Sequence, residues 1–538
     1  MVFHGTALQG FWRADDGAHL KFAVDYSPWA YFFDPAVTRG QSGANVTPWN
    51  VFFYDVNLTL FGFLPRWHYA HLLLVLTACA ITLHLVLRIW LPMAQSLVGA
   101  TAFLLGKPTA YVAQYLMTGH YATGLLFSLL AILAWNHAVH TERRWSLAAA
   151  AFLYLLATTC KEVYVPLVLV LIALPIGSVR QRLRLIWPFA LVAFFYAGWR
   201  YLVLGHLVGG YTPSGDGLNL ASVLDQFAAI PRLLTGNRLL GSYELLVFLS
   251  LWSFAAFKKR LNFKLMALSV VVLLVPLVPL TTYPGIHAPD RYLFVIWAAI
   301  AALIAAILPR KRGSYAAIII GISLLAAFGI ESRREQTALA PELARNDALY
   351  HFALEADPVH QGLFVKGDDG YWSLILTTIR HARNKFDGLD DAAPSLLTVS
   401  DSPIVLGALA SSDLVERQFY RYAEGSMMAF DLGEMHRQAV QQVEKGVGKP
   451  MTVAIRYEHG AVHWSFGPYP GRYLISVDGI GTVRVSASGS YPWKQDRLLR
   501  IRSCYESAEG WAGCSPSLTM SPGENPSLAW SGMAALPR

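Results

Sequence analysis

The chain has 538 residues, of which 54% are hydrophobic and 14% are charged. Soluble globular proteins carry about one quarter charged residues, so a soluble enzyme is not expected. The net charge of +8 is concentrated in residues 68–330, which hold 19 Lys and Arg against 6 Asp and Glu. Basic residues between hydrophobic runs are typical of the cytoplasmic loops of a multi-spanning membrane protein, so this charge does not indicate nucleic-acid binding.

Hydrophobic runs fill this basic part of the chain. A bilayer core about 30 Å thick needs about 20 apolar residues per helix. The fourth and fifth runs are short, and Lys161-Glu162 between them is either a turn at the membrane surface or a charged break inside one long helix. The loop cations all lie on one side, the cytoplasmic side, only if the two runs are separate spans. We predict ten spans, near 68–91, 94–110, 120–139, 145–160, 163–178, 185–204, 240–257, 265–282, 292–309 and 314–330.

With this parity the chain has three predicted parts: a first extracytoplasmic loop at 1–67, a transmembrane helical domain at 68–330 and an extracytoplasmic C-terminal domain at 331–538. The tail has helical periodicity to about residue 390 and alternates with period two after residue 396, which predicts a small α/β or mostly-β domain. From about residue 516 it is rich in Ser, Pro and Gly and is expected to be loosely structured.

Two features of this scheme bear on topology. The first 67 residues would have to cross the membrane ahead of the first predicted span. We therefore expect either that a preceding transmembrane helix is missing or that the first span itself carries this segment across. Cys504 and Cys514 lie close together in the tail and predict a disulfide in an oxidising compartment.

The first loop contains an acidic pair. Asp15 and Asp16 are adjacent, and His19 follows Asp16 at a spacing that places both on one face of a helix. A carboxylate there could act as a general base toward an acceptor hydroxyl or amine. The alternative is structural, because Asp before Gly-Ala-His-Leu is a favourable N-cap.

Cations occur near the predicted outer membrane surface. Lys161-Glu162 lies between two spans, Arg200 lies in the outer half of a span, and Asp290-Arg291-Tyr292 begins another. Ionisable residues at membrane depth are costly and need a partner or a function. Three cations on one face could hold a lipid-linked phosphate. The alternative is interfacial snorkelling, or internal pairing of Lys161 with Glu162 and of Asp290 with Arg291.

Metal dependence stays open from the sequence. No His, Cys, Asp or Glu pair has metal-ligand spacing, and no P-loop or GxSxG motif occurs. A divalent metal is possible but not indicated, because it would need Asp15, Asp16 and Asp55 to converge.

The order of these motifs resembles the GT-C superfamily of membrane glycosyltransferases, which includes protein O-mannosyltransferases and the aminoarabinose transferases of lipid A. The resemblance covers residues 11 to about 310. It rests on short motifs in a common order, namely Asp15-Asp16, Thr47-Pro48-Trp49, Asp55, Leu60-Phe61-Gly62, Pro65, His71, Lys161-Glu162, Arg200 and Asp290-Arg291-Tyr292.

The resemblance implies an α-helical polytopic enzyme that takes a sugar from a polyprenyl-phosphate carrier and transfers it outside the cytoplasm. It places Asp15 or Asp16 as general base or organiser of the acceptor. His19, Asp55, Glu162 and Tyr292 would contact substrate, and Lys161, Arg200 and Arg291 would hold the carrier phosphate as leaving group.

Two competing classes stay open. A transporter or flippase of lipid-linked saccharide would also present cations to a phosphate, although the repeats common in transporters are not visible here. The second competing class is a non-catalytic membrane scaffold whose tail binds glycan. The expected partners are the lipid-linked donor, membrane lipid and an unidentified glycan, lipid or protein acceptor. The expected location is a bacterial inner membrane, with the active site and tail on the periplasmic side.

Overall fold

The computed structural model describes most of the chain. Predicted spans near 240–257 and 265–282, and also Asp290, lie outside the described residues. The described residues are 3–42, 44–207, 291–307, 315–365, 370–388, 396–401, 406, 409, 411–444, 450–458, 461–469, 472–477, 481–492, 499–506, 512–521 and 527–535.

The chain forms two compact units. The first contains residues 1–11, 28–38 and 43–340, and the second contains 12–27, 39–42 and 341–538. Parts of the predicted first loop therefore belong to the same unit as the tail.

The first unit is helical. Proline at the first or second helical position begins several of these helices, where a missing N–H costs nothing. Its helices are α2 (Pro28–Phe33), α3 (Pro35–Gln41, which extends into the second unit), α4 (Pro48–Phe61), α5 (Pro65–Arg88), α6 (Met93–Leu105), α7 (Lys107–Gln114), α8 (Gly119–Thr141), α9 (Arg144–Cys160), α10 (Leu167–Ala173), α11 (Val179–Leu185), α12 (Trp187–Leu204), α13 (Phe294–Ile307) and α14 (Tyr315–Glu355).

Three described helical segments are long and apolar enough to cross a membrane: Pro65–Arg88, Leu116–Thr141 and Trp187–Leu204. Other predicted spans are shorter in the structure. The run near 94–110 is divided between two helices, because α6 (Met93–Leu105) ends before Gly106 and α7 (Lys107–Gln114) begins directly after it. The run near 163–178 gives the helical segment Glu162–Ala173, and that near 292–309 gives Phe294–Ala306.

Close helix contact in the first unit depends on glycine. A Cβ atom at Gly106 would lie 1.9 Å from Nε1 of Trp297, and one at Gly99 would lie 2.9 Å from the Cβ atom of Ala305. The Trp297 indole also donates to the Phe103 carbonyl over 3.0 Å. Helix α13 therefore packs against α6 along a surface where side chains larger than hydrogen do not fit.

The N-terminal segment is tied to the helices of the first unit. His4 Nε2 donates to the Leu104 carbonyl at the end of α6 over 2.7 Å. Its Nδ1 atom accepts from Nε2 of Gln336 on α14 over 2.8 Å, and Thr6 donates to Oε1 of the same glutamine over 2.9 Å. Burial lowers the pKa of His4, which favours the neutral imidazole that this pair of bonds requires.

Helix α14 runs across the predicted boundary between the transmembrane domain and the tail. It continues through residue 331 as a single helix of 41 residues with Pro341 inside it. The division between the two units follows Ala340. A strand at Gln361–Val365 then interrupts the stretch that was expected to be helical to about residue 390.

The second unit begins with α1 (Asp16–Asp25) and continues after α14 as a mixed α/β region. Its sheet has the order β2-β1-β3-β4, with β1 parallel to β2 and β3, and β4 antiparallel to β3. Phe364, Val399, Phe419 and Leu432 form its core. The elements are β1 (Gln361–Val365), α15 (Gly370–Phe386), β2 (Leu397–Ser400), α16 (Ser411–Glu416), β3 (Gln418–Ala423), β4 (Ser426–Phe430) and α17 (Gly433–Glu444).

The rest of the tail is antiparallel β structure in two sheets, β13-β5-β6-β9 and β11-β10-β7-β8, with β12 paired to β10. Alternate residues of β5, such as Met451, Val453 and Ile455, are buried in the core. The strands are β5 (Pro450–Glu458), β6 (Ala461–Gly467), β7 (Arg472–Val477), β8 (Gly481–Val485), β9 (Ser488–Pro492), β10 (Leu499–Glu506), β11 (Ala512–Cys514), β12 (Leu518–Met520) and β13 (Ser527–Met533).

Two details of this β region bear on the sequence predictions. Cys504 and Cys514 are opposite one another on β10 and β11 and are joined by a disulfide. The expectation of a loose segment after residue 516 was wrong for β12 and β13. Strand β13 pairs with β5 from Ser527 to Met533, so backbone pairing outweighs the high Ser, Pro and Gly content of the segment.

Candidate functional site

The candidate site in the first unit starts from the break between α9 and α10. Lys161 has extended backbone angles (φ −165°, ψ 146°), and Glu162–Tyr164 forms a short 3-10 turn. Pro166 prevents a continuous helix, because it has no N–H and its ring would clash with the carbonyl four residues earlier. Helices α9 and α10 are therefore separate elements, and Lys161 and Glu162 lie at the break between them.

The carboxylate of Glu162 is the centre of a polar cluster. Its Oε1 atom accepts from the Val46 backbone N–H over 2.9 Å and from Nη1 of Arg200 over 2.5 Å. Its Oε2 atom is buried without a hydrogen-bond partner among the described residues, and Nζ of Lys161 lies 3.8 Å away. One oxygen therefore has structural partners, while the other faces an ammonium beyond hydrogen-bond distance.

Arg200 is held by protein acceptors. In addition to Glu162, its Nη2 atom donates to the Ala44 carbonyl over 2.8 Å and its Nε atom donates to the Leu207 carbonyl over 2.9 Å. Tyr196, one turn earlier on α12, donates to the Val46 carbonyl over 3.3 Å. Arg200 is thus internally paired with Glu162, the residue for which the sequence had offered Lys161 as the partner.

Lys161 faces aromatic side chains. Its Nζ atom lies 5.8 Å from the ring centroid of Tyr121, and the rings of Tyr121 and Tyr292 meet edge to face with centroids 6.0 Å apart. Burial lowers the pKa of Lys161, and Glu162 partly opposes this effect. The break between α9 and α10 thus carries an ammonium against a tyrosine pair.

Arg291 contacts Tyr292, the second tyrosine of this pair. Its guanidinium carbon lies 5.1 Å from the ring centroid of Tyr292, and its Nη2 atom lies 3.5 Å from the Tyr292 hydroxyl. Arg200 and Arg291 are both close enough to repel the charge of Lys161. Among the residues described, Lys161 and Arg200 pair with the carboxylate of Glu162, and Arg291 is a third cation close to Lys161.

Asp55 lies elsewhere in the first unit, on α4. It is half-buried, and burial raises the pKa of its carboxyl group. Within the described part of the chain this carboxyl group has no charged or hydrogen-bonding partner. On the same helix, Asn57 accepts from Nδ1 of His71 over 2.7 Å, which links α4 to α5.

The acidic pair of the first loop belongs to the second unit. Asp15 is exposed at the N-cap position of α1 and makes no side-chain capping bond, whereas Asp16, the residue directly before Gly-Ala-His-Leu, is the first residue of the helix. Asp16 is fully buried, and its Oδ2 atom accepts from the Arg13 backbone N–H over 2.8 Å. His19 is buried on the same helix, as the spacing predicted.

The turn before α1 is strained. Ala14 has φ of +50°, in the left-handed region that residues with a Cβ atom rarely adopt. The bond from Arg13 to Asp16 closes this turn. Strained backbone of this kind is concentrated at functional sites, where it fixes a side chain. Of the two carboxylates, only that of Asp16 is fixed in this way.

Metal ligands do not converge in the described residues. No group of three or more His, Cys, Asp or Glu side chains within that part of the chain could hold a metal ion. Asp15 and Asp16 lie in the second unit, and Asp55 lies in the first.

The chain is similar to a solved structure and to no family model or curated protein. Among solved structures, the chain is similar to the crystal structure of ArnT from Cupriavidus metallidurans in the apo state, with 12% sequence identity, a TM-score of 0.42, and coverage of 74% of this chain and 83% of that chain. The class that the chain's own features define is a helical protein with membrane-spanning segments, a buried cationic cluster and a separate α/β and β unit.

Proposed function

We propose that the chain is an integral-membrane glycosyltransferase that moves a sugar from a polyprenyl-phosphate donor to an acceptor outside the cytoplasm. The observation that carries this proposal is the charge of the cluster in the first unit. Of the described residues there, Lys161, Arg200 and Arg291 are cationic and Glu162 is the one anion. Positive charge buried beside a membrane span is costly, and an anionic ligand would balance it.

The cations have different roles in the proposed mechanism. Arg200 holds Glu162 in place, since its guanidinium is engaged by Glu162, Ala44 and Leu207. Lys161 and Arg291 would bind the donor phosphate, with the Tyr292 hydroxyl donating to the same group. Lysine offers a point charge and arginine a planar fork to phosphate oxygens.

The proposed reaction is a displacement at the anomeric carbon. The acceptor oxygen or nitrogen bonds to that carbon while the bond from the carbon to the phosphate oxygen breaks, and polyprenyl phosphate leaves with the electron pair. Negative charge grows on the phosphate, where Lys161 and Arg291 would stabilise it. A carboxylate takes the proton of the acceptor.

We assign that base to Asp16 in preference to Asp15. The Asp16 carboxylate is buried and fixed by the Arg13 N–H, whereas that of Asp15 is exposed. A general base must be held within hydrogen-bond reach of the proton it removes. We also propose that His19 and Asp55 contact the substrates. The proposed location of the site is the periplasmic side of a bacterial inner membrane.

The test is transfer of labelled sugar from polyprenyl-phosphate donors by the full chain in nanodiscs. Asp16→Asn should lower turnover by about a hundredfold or more, because general-base catalysis contributes roughly 10²–10⁴. Asp15→Asn should stay near the parent, and Lys161→Met and Arg291→Ala should weaken donor binding. The exposed Arg180 supplies a matched control, Arg180→Ala, which should behave as the parent.

Two results would contradict the proposal. Parent-like turnover in Asp15→Asn, Asp16→Asn and the double variant would exclude both carboxylates as the base. Absence of any turnover in the parent, with donor binding that still requires Arg291, would favour a flippase of lipid-linked saccharide, which presents the same cations to the same phosphate.

A further inference from the structure

The C-terminal end of α1 carries a second charged cluster, centred on Asp25. Oδ1 of Asp25 accepts from Nε2 of His381 over 3.1 Å and from Nζ of Lys385 over 2.6 Å, both on α15. Its Oδ2 atom accepts from Nζ of Lys21, one turn earlier on α1. The carboxylate side chain is 13% exposed, so a single, largely buried anion has three donors.

The position of Asp25 within α1 is electrostatically unfavourable for a carboxylate. It is the last residue of α1, where the partial negative charge of the helix terminus disfavours an anion. His381 and Lys385 are four residues apart and hence on one face of α15, and Asp25 lies between them. Burial alone would raise the pKa of Asp25, but the hydrogen bonds from His381, Lys21 and Lys385 hold it well below its usual range.

The orientation of α1 depends on such contacts. The helix has 10 residues, and isolated helices of this length are marginal in water. Its first residue is Asp16, and its last is Asp25. Tertiary contacts with α15, among them those of Asp25 at the end opposite Asp16, therefore set the direction in which the Asp16 end points.

We propose that Asp25 is a positioning residue, which by pairing with His381 and Lys385 of α15 orients α1 and so fixes the direction of the Asp16 carboxylate toward the acceptor. The inference rests on the proposed function, because it takes Asp16 as the base. Asp25 itself contacts no substrate in this scheme. It acts through the helix that it holds.

The experiment measures transfer kinetics of the full chain for Asp25→Asn, Asp25→Glu and Lys385→Met. Asp25→Asn keeps the shape of the side chain but removes its charge, so kcat should fall by about tenfold to a hundredfold, the loss expected from a displacement of about 1 Å at a catalytic group. KM for the donor should stay unchanged, since the cations of the first unit are not altered. Asp25→Glu should restore most of the turnover.

A matched control separates positioning from general stability. Asp357 makes a comparable pair with His360 over 2.7 Å in the same unit but outside α1, and it is exposed. Asp357→Asn should keep the parent kcat. Asp25→Asn and Lys385→Met should also be non-additive, because both remove the same contact.

Two outcomes would overturn the inference in an active parent. One is an unchanged kcat in Asp25→Asn. The other is a loss of kcat that follows the folded fraction, measured by thermal unfolding, and that Asp25→Glu does not restore. Failure of the proposed function has a different signature, since the parent itself would then transfer no sugar.

Discussion

Nη1 of Arg200 lies 2.5 Å from Oε1 of Glu162, and the same guanidinium donates to the Ala44 and Leu207 carbonyls. One side chain thus connects α12 to the break after α9 and to the segment before α4. The arginine side chain is 7% exposed and Ala44 is buried, so the Ala44 carbonyl would lose its donor without gaining water.

Arg200→Ala is therefore expected to destabilise the protein. Removing one partner of a buried ion pair costs about 3–5 kcal/mol when the other charge is left unpaired. Glu162 keeps the Val46 N–H and the Lys161 ammonium, so we expect a loss at the lower end of this range. Equilibrium unfolding in mixed micelles measures this loss, with Arg180→Ala as control. Parent stability combined with lost donor binding would instead make Arg200 a ligand contact.

Lysine should not replace Arg200. Its ammonium cannot reproduce the planar fork that reaches three acceptors in different directions. Arg200→Lys should hence lose a large part of the stability that Arg200→Ala loses, in the same measurement. A fully stable Arg200→Lys variant would show that charge, and not geometry, is what Glu162 needs.

Gly106→Ala should disrupt packing between α6 and α13. The new methyl group would lie 1.9 Å from Nε1 of Trp297, so the indole must move and lose its bond to the Phe103 carbonyl. Overpacking of this kind costs about 1–3 kcal/mol or more. Unfolding of Gly198→Ala is the control, because nothing lies within 4 Å of a Cβ atom there. Equal stability of the two variants would show that α13 can shift without cost.

Asp55→Asn should separate stability from activity. Since burial raises the pKa of Asp55, its ionised form is disfavoured in the folded state, and a neutral amide removes that cost at pH 7. The apparent Tm should stay equal or rise. If Asp55 contacts substrate as proposed, turnover should fall roughly tenfold, the value of about one hydrogen bond to a charged group. A lower Tm with full turnover would make Asp55 a structural residue.

His4 should make attachment of the N-terminal segment depend on pH. Its folded pKa is below the ordinary value of 6.5, so its contribution to stability is complete above pH 6.5 and is lost as the pH falls below that value. Hydrogen exchange of residues 3–11 should therefore speed up between pH 7 and pH 5, after correction for the intrinsic rate. His4→Phe should exchange faster throughout and without this pH dependence, whereas His360→Phe should follow the parent. A parent profile without the transition would mean that His4 is not held neutral.

The break at Lys161 could be predicted from the sequence because it depends on local signals. The charges of the flanking loops required two separate spans, and Pro166 gives a local steric reason for the break. The partners of Arg200 could not be predicted in the same way. Ala44 lies 156 residues away along the chain, and backbone carbonyl acceptors leave no sequence signal.

The partners of Asp25 also show that long-range contacts could not be predicted from the sequence. Lys21 and Asp25 have the i,i+4 spacing of a helical ion pair, which is a local signal, although the sequence analysis did not single it out. The partner Lys385 is 360 residues away and became apparent only in the fold. Strand β13 was missed for a different reason: its Ser and Gly content outweighed its alternation, although pairing with β5 decides its structure.

The 3-10 turn after α9 also contacts α8 through Tyr164. The Tyr164 hydroxyl donates to the Tyr121 carbonyl, and its ring fills the space that Gly124 leaves open, where a Cβ atom would lie 2.2 Å from it. The tyrosine face opposite Lys161 is consequently set before any ligand arrives. Binding of an anion would therefore cost little conformational entropy at this surface. Its affinity should depend mainly on how well the anion replaces the water around the charges of Lys161 and Arg291.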